Sequence, residues 1–142
     1  MQDDIRKAIE QKIVNHPMFK KQNNCMESSA LLTNMLHSMN DERISDVNRL
    51  ELYREEEAKI NPDMGYHAGV ILFVEDVCYF VEANNYVEEG LKINLWFEYA
   101  DKHGVEHFDM MKASELKKTW TGSVLEPMGR NVKARLEMEK RC

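Results

Sequence analysis

No stretch of this chain comes near the roughly 18 consecutive apolar residues of a membrane-spanning helix, and no membrane partner is expected. Cysteine is scarce: Cys25, Cys78 and Cys142 are an odd, scattered set without paired metal-ligand spacing. That makes a disulfide framework and a zinc site poor readings, and reduced thiols in a reducing compartment fit better. Positive charge is also short, with 19 Lys and Arg against 25 Asp and Glu and a net charge of −6. This argues against nucleic acid as the main partner, since that calls for a basic surface. The one basic cluster, Lys133 to Arg141, alternates with Glu137 and Glu139 in the manner of a solvated helix face. The opening MQDDIRKAIEQK is acidic and amphipathic, unlike a signal peptide, and the expectation is a cytoplasmic protein.

What is present is enough for one core. A chain of 142 residues buries roughly two-thirds of its unfolded surface without a crosslink or metal. Residues 1–130 are expected to form a single domain, and residues 131–142 a charged C-terminal helix or tail. Asp3 to Asn15 reads as a helix, with Ile5, Ile9 and Ile13 at spacing four and Pro17 as its stop. A second helix runs from Cys25 to about Met39, with Cys25, Ser28/Ser29, Leu32 and Leu36 on one face. Glu42 to Lys59 reads as a third, with Ile44, Val47, Leu50 and Tyr53 on its buried side.

The period then changes. YHAGVILFV (Tyr66 to Val74) and VCYFVEA (Val77 to Ala83) flank Glu75-Asp76 and predict a central hairpin. Lys92 to Ala100 and Val105 to Met110, joined at Asp101-Lys102-His103-Gly104, predict a second hairpin. Ser114 is a candidate cap for a short helix from Glu115 to Trp120. Helices first and an antiparallel sheet after them give an α+β fold, with the Cys-bearing helix packed centrally on the sheet.

The chemistry centres on Cys25. Asn24 is a candidate cap and Glu27, three residues on, completes a capping box, which puts the thiol at the positive end of a helix. Two polar residues interrupt the apolar hairpin, His67 near its start and Glu82 near its end. If the strands mirror each other about the turn with residue 73 opposite 76, His67 and Glu82 are direct cross-strand neighbours. A carboxylate fixes the orientation of an imidazole and raises its basicity, and an imidazole activates a thiol. The set Cys25, His67, Glu82 is thus a nucleophile, a base and an orienter. The Cys25 backbone N–H and a side chain from Gln22 or Asn23 are candidate oxyanion donors. Asn84, on the same strand face as Glu82, is the substitute third member. No metal or cofactor is called for.

A cysteine opening a helix, a histidine on a strand and an acid on the next strand resembles the papain-like superfamily, including its transglutaminase-like branch and the small cell-wall amidases. NNCMESSALL, YHAGVILFV and YFVEAN carry the resemblance, together with the 15-residue interval from His67 to Glu82. It covers roughly Gln22 to Asn85. The chain departs from the pattern in having no tryptophan beside the cysteine and glutamate as the third member. The resemblance implies a papain/transglutaminase-like fold, with Cys25 as nucleophile, His67 as general base and Glu82 as third member. It further implies a cysteine hydrolase or acyltransferase acting on the amide, isopeptide or thioester carbonyl of a protein or peptide-like substrate.

Blander assignments stand beside these. Cys25 could be a packed core cysteine, His67 an edge histidine, and Glu82 a salt-bridge partner of Lys92. His107 and Asp109 share a strand face and form an alternative base pair. A catalytically silent interaction or inhibitor protein on the same fold is the alternative function.

Overall fold

A computed structural model describes residues 1–20 and 25–119. Helix α1 (Asp3–Ile13) buries Ile5, Ile9 and Ile13, the stripe set by their spacing of four. A single 3-10 turn, Pro17–Lys20, follows and buries Phe19. Helix α2 (Cys25–His37) buries Ser28, Ser29, Ala30, Leu32, Thr33 and Leu36. The buried hydroxyls fold back onto the helix: Ser29 Oγ donates to Met26 O (3.0 Å) and Thr33 Oγ1 to Ser29 O (2.7 Å). Their small size lets α2 lie close upon the sheet.

The expected third helix is instead a strand. β1 (Ile44–Arg54) is followed by only a short helix, α3 (Glu55–Ile60). Ile44, Val47, Leu50 and Tyr53 mimic a helical stripe, but residues 47 to 52 are buried without a break. A central strand covered on both faces loses its alternation, so polar Asn48, Arg49 and Glu51 are buried too.

The first predicted hairpin is present as β2 (Tyr66–Val74) and β3 (Val77–Glu82). Glu75 (φ 47°) and Asp76 (φ 66°) both take left-handed backbone, as a two-residue type I′ turn requires. The second predicted hairpin is absent. β4 (Lys92–Leu95) leads directly into α5 (Trp96–His103), and only then comes β5 (Val105–Lys112). The segment Asp101-Lys102-His103-Gly104 is a helix end, where Gly104 takes φ 62° and its N–H meets the last carbonyls. Helix α4 (Tyr86–Glu89) joins β3 to β4. Helix α6 (Ala113–Thr119) starts before Ser114, which therefore lies inside it rather than capping it. The predicted helix from Asn131, the tail 131–142 and Trp120 lie outside the described residues.

The five strands form one antiparallel sheet in the order β4-β3-β2-β1-β5. On one face α1 and α2 cover Val47, Val70, Leu72, Val74 and Val81. On the other, α5 brings Tyr99 and Trp96 onto Leu50, Leu52, Ile71 and Phe80. Among the described residues no helix is long and apolar enough to cross a membrane. The α+β class stands, with a five-stranded antiparallel sheet between helices.

Candidate active site

The site follows from where β3 stops. β2 pairs with β1 along its full length, from Tyr53↔Tyr66 onward, whereas its pairing with β3 begins only at Val70↔Val81. Past Glu82 the chain leaves the sheet, and Asn85 in left-handed backbone (φ 57°) turns it into α4. Tyr66 to Gly69 therefore keep an open edge. The start of α2 fills it: the half-buried Cys25 thiol is hydrogen-bonded by the Ala68 amide and by the His67 ring.

His67 and Glu82 do meet, though not by the predicted register. The ladder pairs Phe73 with Cys78 and Val74 with Val77, which displaces the expected pairing by two residues. Continued past Val70↔Val81, that register sets Glu82 across from Gly69 and makes His67 its diagonal neighbour. Glycine leaves no side chain between them, and His67 Nε2–H donates to Glu82 Oε1 across the gap. A Cβ on Gly69 would lie 2.5 Å from the Phe80 ring, so glycine is required there by close approach.

Both partners are buried, His67 at 7% and Glu82 at 5% exposure, so neither charge is screened by water. The ring of Phe80 stands 6.2 Å from His67, with Tyr99 4.4 Å and Trp96 5.7 Å beyond it. Burial alone pushes the Cys25 thiol up, but the His67 hydrogen bond and charge, the Ala68 amide and the charge of Arg54 bring it below its ordinary value. Burial pushes His67 down, yet its bonds to Cys25 and Glu82 hold it above its ordinary value. Burial raises Glu82, and the His67 bond, with Lys92 and Arg54 adding charge, holds it low. All three directions favour a thiolate–imidazolium pair beside a carboxylate.

The misassigned β1 hid further residues of this site. Arg54, at its end, donates from Nη2 to Met64 O (2.9 Å) and lies 3.3 Å from the Glu57 carboxylate. It braces the turn before His67 while placing positive charge near both Cys25 and Glu82. Arg49 and Glu51, ion-paired at 3.2 Å, are buried beneath the first turn of α2. In the sequence they stand where a helix would carry its solvated face, and no signal marked them.

Of the other candidates, Gln22, Asn23 and the Asn24 cap lie outside the described residues. Asn84 is half-buried beyond the end of β3, and it is Glu82 that meets the imidazole. Lys92 pairs with Glu82 in the β3–β4 ladder, but its ammonium bonds Glu89 at 2.7 Å. His107 and Asp109 lie on β5, outside the Cys25 group. Among the described residues, Glu55, Glu106 and His107 bring ligand atoms within 4.8 Å of one another; Glu106 is exposed, and the triad makes no use of them. Comparison of the chain with protein-family models, curated proteins and solved structures gave no match.

Proposed function

We propose that this protein is a cysteine hydrolase or acyltransferase of papain/transglutaminase-like type, with Cys25 as nucleophile, His67 as acid–base and Glu82 as orienter. The observation that carries the proposal is the continuous chain from the Cys25 sulfur through the His67 ring to the Glu82 carboxylate. Lone core cysteines have no such chain, and a buried ion pair retained on an apolar hairpin calls for a use.

With Nε2 engaged by Glu82, Nδ1 is the ring nitrogen left for sulfur. The Cys25 thiolate attacks the carbonyl carbon of an amide, isopeptide or thioester, and the carbonyl electron pair moves to oxygen. The Cys25 amide, at the start of a 13-residue helix and without an intrahelical acceptor, is placed to donate to that oxyanion. As the tetrahedral intermediate collapses, His67 gives its proton to the departing amine or thiol, and the acyl group remains as a thioester on Cys25. Neutral His67 then takes a proton from water or from an acceptor amine, which attacks the thioester. The acid or new amide leaves, and the thiolate–imidazolium pair is restored. The substrate is protein or peptide-like, and its acyl group enters where the α2 start meets the open edge of β2.

The test is the rate of iodoacetamide alkylation against pH in a Cys78→Ala/Cys142→Ser background, where Cys25 is the sole thiol. Reactivity is expected to reach half its maximum well below pH 9.0, the ordinary thiol value here. His67→Ala should abolish that early rise. Ordinary thiol behaviour, the same with and without His67, would defeat the proposal.

A further inference from the structure

Two charged side chains lie buried under the start of α2, on the central strand. Arg49 is 3% and Glu51 6% exposed. Their burial is costly, and hydrophobic residues would fill the same space at lower cost. The way Arg49 is bonded suggests what it does there. Its Nη2 donates to the backbone carbonyl of Met26 (3.1 Å) and lies 3.3 Å from the Met26 sulfur, while Nη1 stands 3.2 Å from Glu51. Met26 directly follows the nucleophile. Arg49 therefore joins the strand beneath to the turn that carries Cys25, with a planar guanidinium whose fork constrains both ends.

We infer that Arg49 is a positioning residue: anchored by Glu51, it fixes the first turn of α2 on β1 and keeps a permanent positive charge beneath Cys25. This rests on the nucleophile assignment above and extends it to a residue that touches no substrate. Burial brings the guanidinium down to about 10, with Cys25 and Asp109 opposing that fall, so it remains protonated across the working range. The charged groups facing Cys25 and Arg49 are His67 and Arg54 beside Cys25, Glu82 behind His67, Glu51 and, on β5, Asp109 beside Arg49, and Glu27 on α2 itself. His67 bonds the thiol itself and titrates, whereas Arg49 bonds the backbone of the turn behind it and carries a fixed charge opposite to the thiolate.

The experiment is the same alkylation profile in the full-length single-thiol protein, with circular dichroism to establish folding. Arg49→Met is expected to raise the midpoint by about one unit and so slow alkylation about tenfold at any pH below both midpoints. Glu51→Gln, which removes the neutralising partner, is expected to move the midpoint the other way and speed alkylation about threefold. Opposite shifts from two members of one buried pair separate this role from loss of packing, which would act in one direction. Should Arg49→Met not fold, the Glu51→Gln shift decides alone. Arg49→Lys, which keeps the charge but not the fork, should fall between wild type and Arg49→Met; a profile equal to wild type would overturn the positioning role. A midpoint that responds to His67→Ala but not to Arg49→Met or Glu51→Gln overturns this inference and leaves the enzyme assignment intact. An ordinary thiol profile that ignores His67→Ala overturns both.

Discussion

The molecule contains two histidine–glutamate pairs of the same chemistry in different surroundings. His103 and Glu57 join the end of α5 to α3, with Nδ1 at 2.8 and 2.9 Å from the two carboxylate oxygens. Their side chains are 22% and 20% exposed, and the His103 ring lies 4.2 Å from that of Tyr99, tilted by 36°. His67 and Glu82 are nearly dry, and the histidine has a sulfur on its other side. A carboxylate–imidazole bond is thus no sign of catalysis by itself. Burial and the third group separate a helix tie from a candidate relay.

Each prediction sets one pair against the other. The histidines should differ most: His67→Ala is expected to cut Cys25 alkylation at neutral pH about a hundredfold, whereas His103→Ala should leave it within about twofold. Equal effects would mean that neither pair addresses the thiol.

The carboxylates come next. Glu82→Gln is expected to lower reactivity about tenfold and stability by about 1–3 kcal/mol, through loss of a charged acceptor from a buried bond. Glu57→Gln, in a wetter pair, should cost under about 1 kcal/mol and reach Cys25 only through Arg54, its other partner, changing alkylation less than Glu82→Gln does. The pH dependence sharpens this. His67 is held above its ordinary 6.5, so its share of the stability is full below that value and is lost as pH rises through the raised one. Glu82 is held below its ordinary 4.5, so its share is full above that value and is lost as pH falls through the lowered one. The unfolding free-energy gap between wild type and Glu82→Gln should therefore be widest between pH 4.5 and 6.5 in urea titrations.

The smallest effect on the thiol is steric. Gly69→Ala should cost about 1–3 kcal/mol as Phe80 gives way, and should slow Cys25 modestly by displacing the Glu82 carboxylate. The His103–Glu57 bond should survive, with the His103 ring sensing the change only through Tyr99, which packs between it and Phe80.

Much of this was legible in the chain, for reasons that differ by element. α1 and α2 declared themselves because each has one buried face. The β2–β3 hairpin did so because two apolar runs flank a two-residue turn. That His67 and Glu82 share a face was also readable, since strand parity survives a register error of two residues. Which residues stand opposite did not survive it, because the turn alone sets the register. β1 was misread because both its faces are covered and its apolar spacing of three imitates a helix. With it went Arg49, Glu51 and Arg54, which look like surface charges on a helix and are buried or bracing groups on a strand. α5 was misread because Gly104 serves as well for a hairpin turn as for a helix end.

The open edge of β2 has one more consequence. The Ala68 amide, in a residue paired with Glu51 in the β1–β2 ladder, also bonds the Cys25 sulfur, so its protection from solvent exchange is expected to respond to Cys25 as well as to the sheet. Anything that draws the thiolate away, whether acylation, alkylation or oxidation, should loosen that amide while the rungs from Val70 to Val74 stay shut. One backbone proton thereby becomes a built-in signal of whether the nucleophile is free or occupied.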